Sequence, residues 1–294
     1  MSSLSDAEIN SIIPKSGPSA EQVKKYLEKY NDEYIVIKCG GSVLTNPDLY
    51  NHLINDISTL RKLGFNPVII HGGGKRITEK LKELKIESNF INGLRVTDKD
   101  TIKVVEKVLS EFNKEIVLSL EKTGIKAQQF TSKDSSIIEA TKENEELGYV
   151  GLPTSIENSK IQDSIKTDRI PVIAPLGKDD QDNIYNINAD TAAGAIAKSL
   201  NARRLLILSD VEGVLDKESK LISEINSVTS EELIQKEVIT GGMIPKINNC
   251  LDVASNGVKG VCIIDGRKPH SVLFELLSDQ GSGTLIRKWR KLKI

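Results

Sequence analysis

Nothing in the 294-residue chain is apolar for long enough to span a bilayer; its longest apolar runs, such as RLLILSD and GVCIID, have the length of strands. The amino terminus, MSSLSDAEIN, carries Asp6 and Glu8 but no early arginine and no apolar core, so it fits neither a secretory signal nor a transit peptide. Cysteine is scarce. Cys39, Cys250 and Cys262 are odd in number and form no CxxC pair, which argues against a disulfide framework and for a reducing, cytoplasmic setting. The three histidines, His52, His71 and His270, stand at no metal-ligand spacing, so a metal held by protein side chains alone is not expected. A serine elbow is missing as well. Charge is nearly balanced, with 40 Lys and Arg against 41 Asp and Glu, and a net value of -1 offers no field for nucleic acid or an acidic membrane. Two familiar nucleotide loops are also absent. HGGGKR fails the Walker A pattern because Ile69 stands where the first glycine belongs and Arg76 follows Lys75, and no GxGxxG fingerprint occurs.

What is present reads as an ordinary globular chain, 38% hydrophobic and 28% charged, long enough for one large domain or two lobes. Residues 1–18 are polar and broken by Pro14, Gly17 and Pro18, and are expected to form a loosely ordered leader. SAEQVKKYLEKY follows, with Val23, Tyr26, Leu27 and Tyr30 on one helical stripe and Ser19 as its N-cap. From Tyr34 strands and helices alternate. YIVIK precedes a helix opened by Asn46-Pro47, NPVIIH precedes one from about Lys75 to Leu84, and a long helix covers about Lys99 to Thr123. IKAQQF, SIIEA and the segment around Tyr149–Val150 read as shorter strands, IPVIAPL as one strand, Asp190–Leu200 as a helix, RLLILSD as a strand, Pro245–Ser255 as a helix and GVCIID as a strand. The pattern predicts an α/β protein with an open, mostly parallel central sheet and helices on both faces.

In such sheets ligands sit beyond the carboxyl ends of the strands. There the chain places Lys38-Cys39-Gly40-Gly41, then His71-Gly72-Gly73-Gly74, then YNINAD, then Ser209-Asp210-Val211-Glu212-Gly213. One glycine cluster alone is as well explained by a tight strand-helix turn. Two in matching positions, one beside a lysine, favour bare backbone N–H groups around a phosphate. TGGMIPK puts Lys246 close to a helix start, where the backbone dipole disfavours a cation unless an anion compensates it; an ordinary surface lysine is the alternative. Asp190 reads either as a helix N-cap or as a carboxylate that holds lysines. Arg95, in a loop after Gly93, is either solvated or a fork for a carboxylate.

Taken in order, KxGGS, HGGG, GLRVTD, NINADTAA, LSDVEGVL, GGMIPK and a GxGT-type end resemble the amino acid kinase family, over about Val36 to Ile286. The resemblance implies an αβα sandwich, and its wording is that of the branch acting on N-acetyl-L-glutamate. It implies ATP-dependent phosphorylation of the γ-carboxylate, the second step of arginine biosynthesis, with Mg2+ carried mostly on the phosphate oxygens. By the same match Lys38 and Lys246 flank the transferring phosphoryl group, and Asp190 orients both. Gly72, Gly73 and Gly74 approach the acyl substrate, and Arg95 and Asn188 bind its amino-acid part. Nucleotide contacts fall to Gly40, Gly41, Ser209, Asp210, Gly213, Val214, Leu215, Gly242 and Met243. The implied organisation is an extension over 1–33 with one helix at about 19–30, and one domain over 34–287. That domain has an acyl-substrate lobe at about 34–187 and a nucleotide lobe at about 188–287, and 288–294 form a basic tail.

The chain departs from the family wording at three places. QQFTSKDSS keeps Lys133-Asp134 of a central turn without its glycines, Lys75 stands where relatives frequently have proline, and Cys262 replaces a histidine common in arginine-inhibited members. The C-terminal stretch still matches those members at His270, Glu275, Gly281, Gly283 and Thr284, which implies an arginine effector site there. Such members are homodimers linked into hexamers through an N-terminal helix; here the helix is present in different wording. Two other readings stay open, a kinase for a carrier-linked 2-aminoadipate and a catalytically silent arginine sensor.

Overall fold

The computed structural model describes residues 4–30, 32–132 and 136–289. The Lys133-Asp134 turn and the basic tail from residue 290 onward lie outside the described residues. Helix α1 (Asp6–Ile12) opens the described chain, closed at its start by a reciprocal Ser5–Glu8 capping box, and buries Ile9. The expected loose leader is therefore wrong over this stretch. Its polar composition hides one capping signal and two apolar anchors, Ile9 and Ile13, both buried. Helix α2 (Ala20–Leu27) starts at the expected cap, Ser19, whose side chain accepts from the Gln22 N–H.

Strand β1 (Tyr34–Cys39) leads to α3 (Pro47–Lys62), where the Asn46 side chain accepts from the Asp48 and Leu49 N–H groups and Pro47 sits in the first turn. Strand β2 (Asn66–His71) leads to α4 (Gly74–Glu83). A two-residue hairpin of β3 (Phe90–Ile91) and β4 (Leu94–Arg95) follows, so Arg95 stands on a strand and not in a loop. The long helix α5 (Lys99–Glu121) is capped by Asp98. After it come β5 (Ala127–Phe130), β6 (Ile138–Lys142), β7 (Gly151–Ile156) and α6 (Asn158–Lys166). IPVIAPL divides into β8 (Ile170–Ile173) and β9 (Leu176–Lys178), which join different sheets. Pro175 stands at the break, since it has no N–H to continue a ladder. Strand β10 (Ile184–Asn186), α7 (Ala189–Ser199), β11 (Arg204–Ser209), β12 (Glu224–Ile225), α8 (Ser227–Gln235), α9 (Met243–Ser255), β13 (Val261–Asp265), α10 (Ser271–Leu277) and β14 (Gly283–Ile286) complete the chain.

The backbone forms two compact units, one from the residues up to Pro67 and from Leu200 onward, the other Val68–Ser199. In the first, β1, β11 and β13 pair in parallel, β14 runs antiparallel to β13, and β12 pairs in parallel with β14. Ile35, Val36, Ile37 and Leu205, Leu206, Ile207 are wholly buried, each contributing about 1.5–3 kcal/mol of apolar transfer energy. Strands buried on both faces explain why their sequences do not alternate. Helices α1 and α2 pack together in this unit, and α2 docks on α10. In the second unit β2, β8 and β5 pair in parallel, and a further sheet of order β10-β9-β6-β7 carries Pro153 on its edge strand β7, where a missing N–H is tolerated. The mostly parallel α/β class expected from the alternation is what the chain adopts.

Candidate active site

Each glycine cluster lies at the carboxyl end of a parallel strand, and the first is built around a lysine. The Lys38 side chain is half-buried and folds back over Gly40, so that a Cβ on residue 40 would lie 2.5 Å from Lys38 Nζ. The glycine is there because the ammonium occupies the space of a side chain. Gly41 answers a second demand. Its φ of 66° is in the left-handed region, and a Cβ there would lie 2.5 Å from an Asp210 carboxylate oxygen. Asp210 Oδ1 accepts from the Ser42 N–H at 2.8 Å and from the Ser42 hydroxyl at 2.7 Å. Asp210 follows β11, the strand paired with β1, and so latches the glycine loop at the end of its neighbour. Thr284, fully buried, does the same for the segment after β11, accepting from the Val214 N–H at 2.8 Å and donating to the Ile222 carbonyl at 2.7 Å.

Helix α9 begins at Met243, two residues earlier than expected, and Gly241 and Gly242 precede it with open space where side chains would project. Lys246 is thus a half-buried cation in the first turn, adding to the positive potential of a helix start. Both candidate lysines, Lys38 and Lys246, belong to the first unit, with the Gly40–Gly41 and Ser209–Leu215 segments.

The second unit holds the HGGG turn, Arg95, Asn188 and Asp190. His71 ends β2 completely buried. Its Nδ1 lies 3.1 Å from the Gly72 carbonyl, its Nε2 lies 3.1 Å from Asn113 Nδ2, and its ring meets the edge of Phe112. Burial pushes its pKa down to about 4, so the ring is neutral, donating from Nδ1 and accepting at Nε2. Asn113 also donates to the Val172 carbonyl at 3.0 Å, which ties the turn to β8. Arg95 is buried beside this turn. Its Nη2 donates to the Gly74 carbonyl at 3.1 Å and to Thr78 Oγ1 at 2.9 Å, its Nη1 donates to Ser88 Oγ, and its Cζ lies over the Phe90 ring, 4.7 Å from the centroid. Every one of these partners is neutral, and desolvation lowers the arginine's pKa.

Asn188 takes the cap of α7, with Oδ1 accepting from the Asp190 N–H at 2.9 Å and the Thr191 N–H at 3.2 Å. The N-cap reading of Asp190 is thereby corrected: Asp190 stands inside the first turn, where a carboxylate is favoured by the helix dipole. Among the residues matched to an effector site, Glu275 and Gly281 come together, Glu275 Oε2 accepting from the Ser282 N–H at 2.7 Å. His270 faces elsewhere, its Nδ1 2.7 Å from Asp56 Oδ1 in a buried pair, and Gly283 lies against the Ile263 backbone, where a Cβ would collide. Next to Glu275, Asp279 accepts from Lys25 and from the Tyr26 hydroxyl of α2.

Sequence reading placed His71 at the head of the HGGG turn without a role for it, and missed Asn113, Thr78, Ser88 and the latching role of Asp210. Only Asn113 left a trace, as an amide on the apolar stripe of α5.

The sequence profile of the amino acid kinase family matches residues 33–265. The acetylglutamate kinase of Pelagibacter ubique is 65% identical over 288 residues, covering 98% of this chain and 100% of that protein. The acetylglutamate kinase of Zymomonas mobilis subsp. mobilis is 40% identical over 290 residues, covering 94% and 96%. Among solved structures, N-acetylglutamate synthase from Neisseria gonorrhoeae, complexed with coenzyme A and N-acetyl-glutamate, superposes with a TM-score of 0.81 at 20% identity. That match covers 92% of this chain and 63% of the synthase, a likeness of fold.

Proposed function

This chain belongs to the amino acid kinase family, and from that premise we propose that it transfers the γ-phosphoryl group of ATP to the γ-carboxylate of N-acetyl-L-glutamate, the second step of arginine biosynthesis. The feature of the structure that carries this reading is Arg95, a buried guanidinium set against the HGGG turn whose partners among the described residues are all neutral. A buried cation of this kind is stabilised by an anion, and a planar fork suits a carboxylate. Asn188, whose Oδ1 is used in capping α7, has its Nδ2 to offer the same acceptor.

The chemistry requires no base, because the attacking carboxylate is ionised at neutral pH. It requires positive charge and fixed N–H donors around oxygens that gain charge. Lys38 and Lys246 supply the charge, and Asp190 is the carboxylate of the catalytic set. The backbone at Gly40–Gly41, Ser209–Leu215 and Gly242–Met243 receives the nucleotide, and Gly72–Gly74 approach the transferring group. Magnesium bound with ATP would neutralise phosphate charge. Among the described residues no three His, Cys, Asp or Glu side chains converge into a metal site.

Arginine inhibition and assembly belong to the same proposal. Glu275, Gly281 and the Asp279 anchor of α2 form the surface where an effector would couple the N-terminal helices to α10, and the homodimer and hexamer follow from the resemblance. All three cysteines are buried and none forms a disulfide, and a cytoplasmic setting belongs to the same proposal. An ADP-release assay across N-acetylglutamate, glutamate, aspartate, carbamate and a carrier-linked 2-aminoadipate tests the assignment. Turnover confined to N-acetylglutamate is expected, and a preference for another acceptor overturns it.

A further inference from the structure

The guanidinium of Arg95 has five N–H donors, and among the described residues three of them are committed: two from Nη2 and one from Nη1. Two donors therefore remain for an incoming anion, and the direction they face is set by what holds the other three. Thr78 does more than accept. Its hydroxyl also donates to the Gly74 carbonyl at 2.9 Å, so Arg95, Thr78 and Gly74 close a three-membered ring of hydrogen bonds at the start of α4. Ser88 fixes the opposite end of the fork from the segment before β3, and the Phe90 ring lies against Arg95 Cζ. Phe90 is 55% exposed, so its position is explained by stacking on the arginine and not by burial in a core.

Resting on the assignment of Arg95 to the acceptor, we propose that Ser88, Thr78 and Phe90 are positioning residues for that arginine. They lock the guanidinium to the glycine turn, so that the carboxylate it grips and the Gly72–Gly74 backbone stand at one fixed spacing. An acceptor must then carry its two carboxylates at the matching separation, and the cradle contributes to discrimination by chain length. A mobile Arg95 would still attract a carboxylate, but would spend binding energy on fixing its own side chain.

Ser88→Ala and Thr78→Val each remove one neutral hydrogen bond, and each should raise KM for N-acetylglutamate by about threefold to tenfold. In both, kcat and KM for ATP stay at parental values. Ser88→Thr and Thr78→Ser, which keep the hydroxyl, should restore the parental KM, and both truncations should narrow the preference for N-acetylglutamate over N-acetylaspartate. In an Arg95→Ala background neither truncation should have a further effect, because its partner is gone. Thr78 is solvent-exposed, so its variant reports even if Ser88→Ala folds poorly. Parental KM in both truncations overturns the cradle while leaving the kinase assignment intact, and so does an equal rise in both KM values. A parent protein that does not use N-acetylglutamate overturns the assignment itself.

Discussion

Gly40→Ala separates folding from chemistry. The residue has φ of -160°, extended backbone that alanine adopts freely, so no backbone strain is introduced. Its new methyl group would lie 2.5 Å from Lys38 Nζ, whereas non-bonded heavy atoms settle at about 3.5 Å or more. The ammonium must retreat by about 1 Å. Because that atom ends a flexible chain, the fold gives way cheaply, and the reduced freedom of the unfolded chain returns about 0.4–1 kcal/mol. Catalysis has no such slack: a misplacement of about 1 Å costs on the order of 100-fold, or about 2.7 kcal/mol in the barrier. Steady-state ADP release and urea unfolding of the same preparation should show kcat down by about 100-fold with unfolding free energy within about 1 kcal/mol of the parent. A kcat within about twofold of the parent would refute the role given to the Lys38 ammonium.

Lys246→Ala should lower kcat by at least 100-fold while changing either KM by less than about threefold, since its charge counts mainly in the transition state. A rise in KM with unchanged kcat would move Lys246 from the reaction to ground-state binding. His71 is neutral in the fold, with a pKa near 4 against about 6.5 in the unfolded chain, so folding opposes its protonation. The unfolded state binds the extra proton between those two values, and stability is lost as pH falls from about 6.5 toward 4. Between pH 7 and pH 5 the loss is about 2 kcal/mol, and in His71→Gln urea titrations at the two pH values should lack this part. Saturating arginine should depress turnover of the parent and leave Glu275→Ala largely active; an unchanged parental rate would end the effector reading.

The strands and most helix starts were legible because their signals are local. Ser19 and Asn46-Pro47 announce helices to any reader of caps, and a lysine followed by paired glycines at a strand end announces an anion site. What escaped depends on partners distant in sequence. Asp210 reads as one more polar residue of a nucleotide loop until it is seen against Ser42, 168 positions away. His71 and Asn113 are 42 positions apart, and nothing near either residue predicts their pairing. Pro175, by contrast, was visible, and a strand drawn across it ignored the missing N–H. The leader failed for the opposite reason, because a polar average concealed a capping box and two isoleucines.

Trapping the product with hydroxylamine bears on the transfer itself. An acyl phosphate formed on the γ-carboxylate is captured as the γ-hydroxamate of N-acetylglutamate, which can be quantified beside the ADP released. One hydroxamate per ADP in the parent, with both abolished in Lys38→Ala, is the expected result. ADP released without hydroxamate, or equal yields from the Lys38→Ala protein, would contradict phosphoryl transfer to this carboxylate.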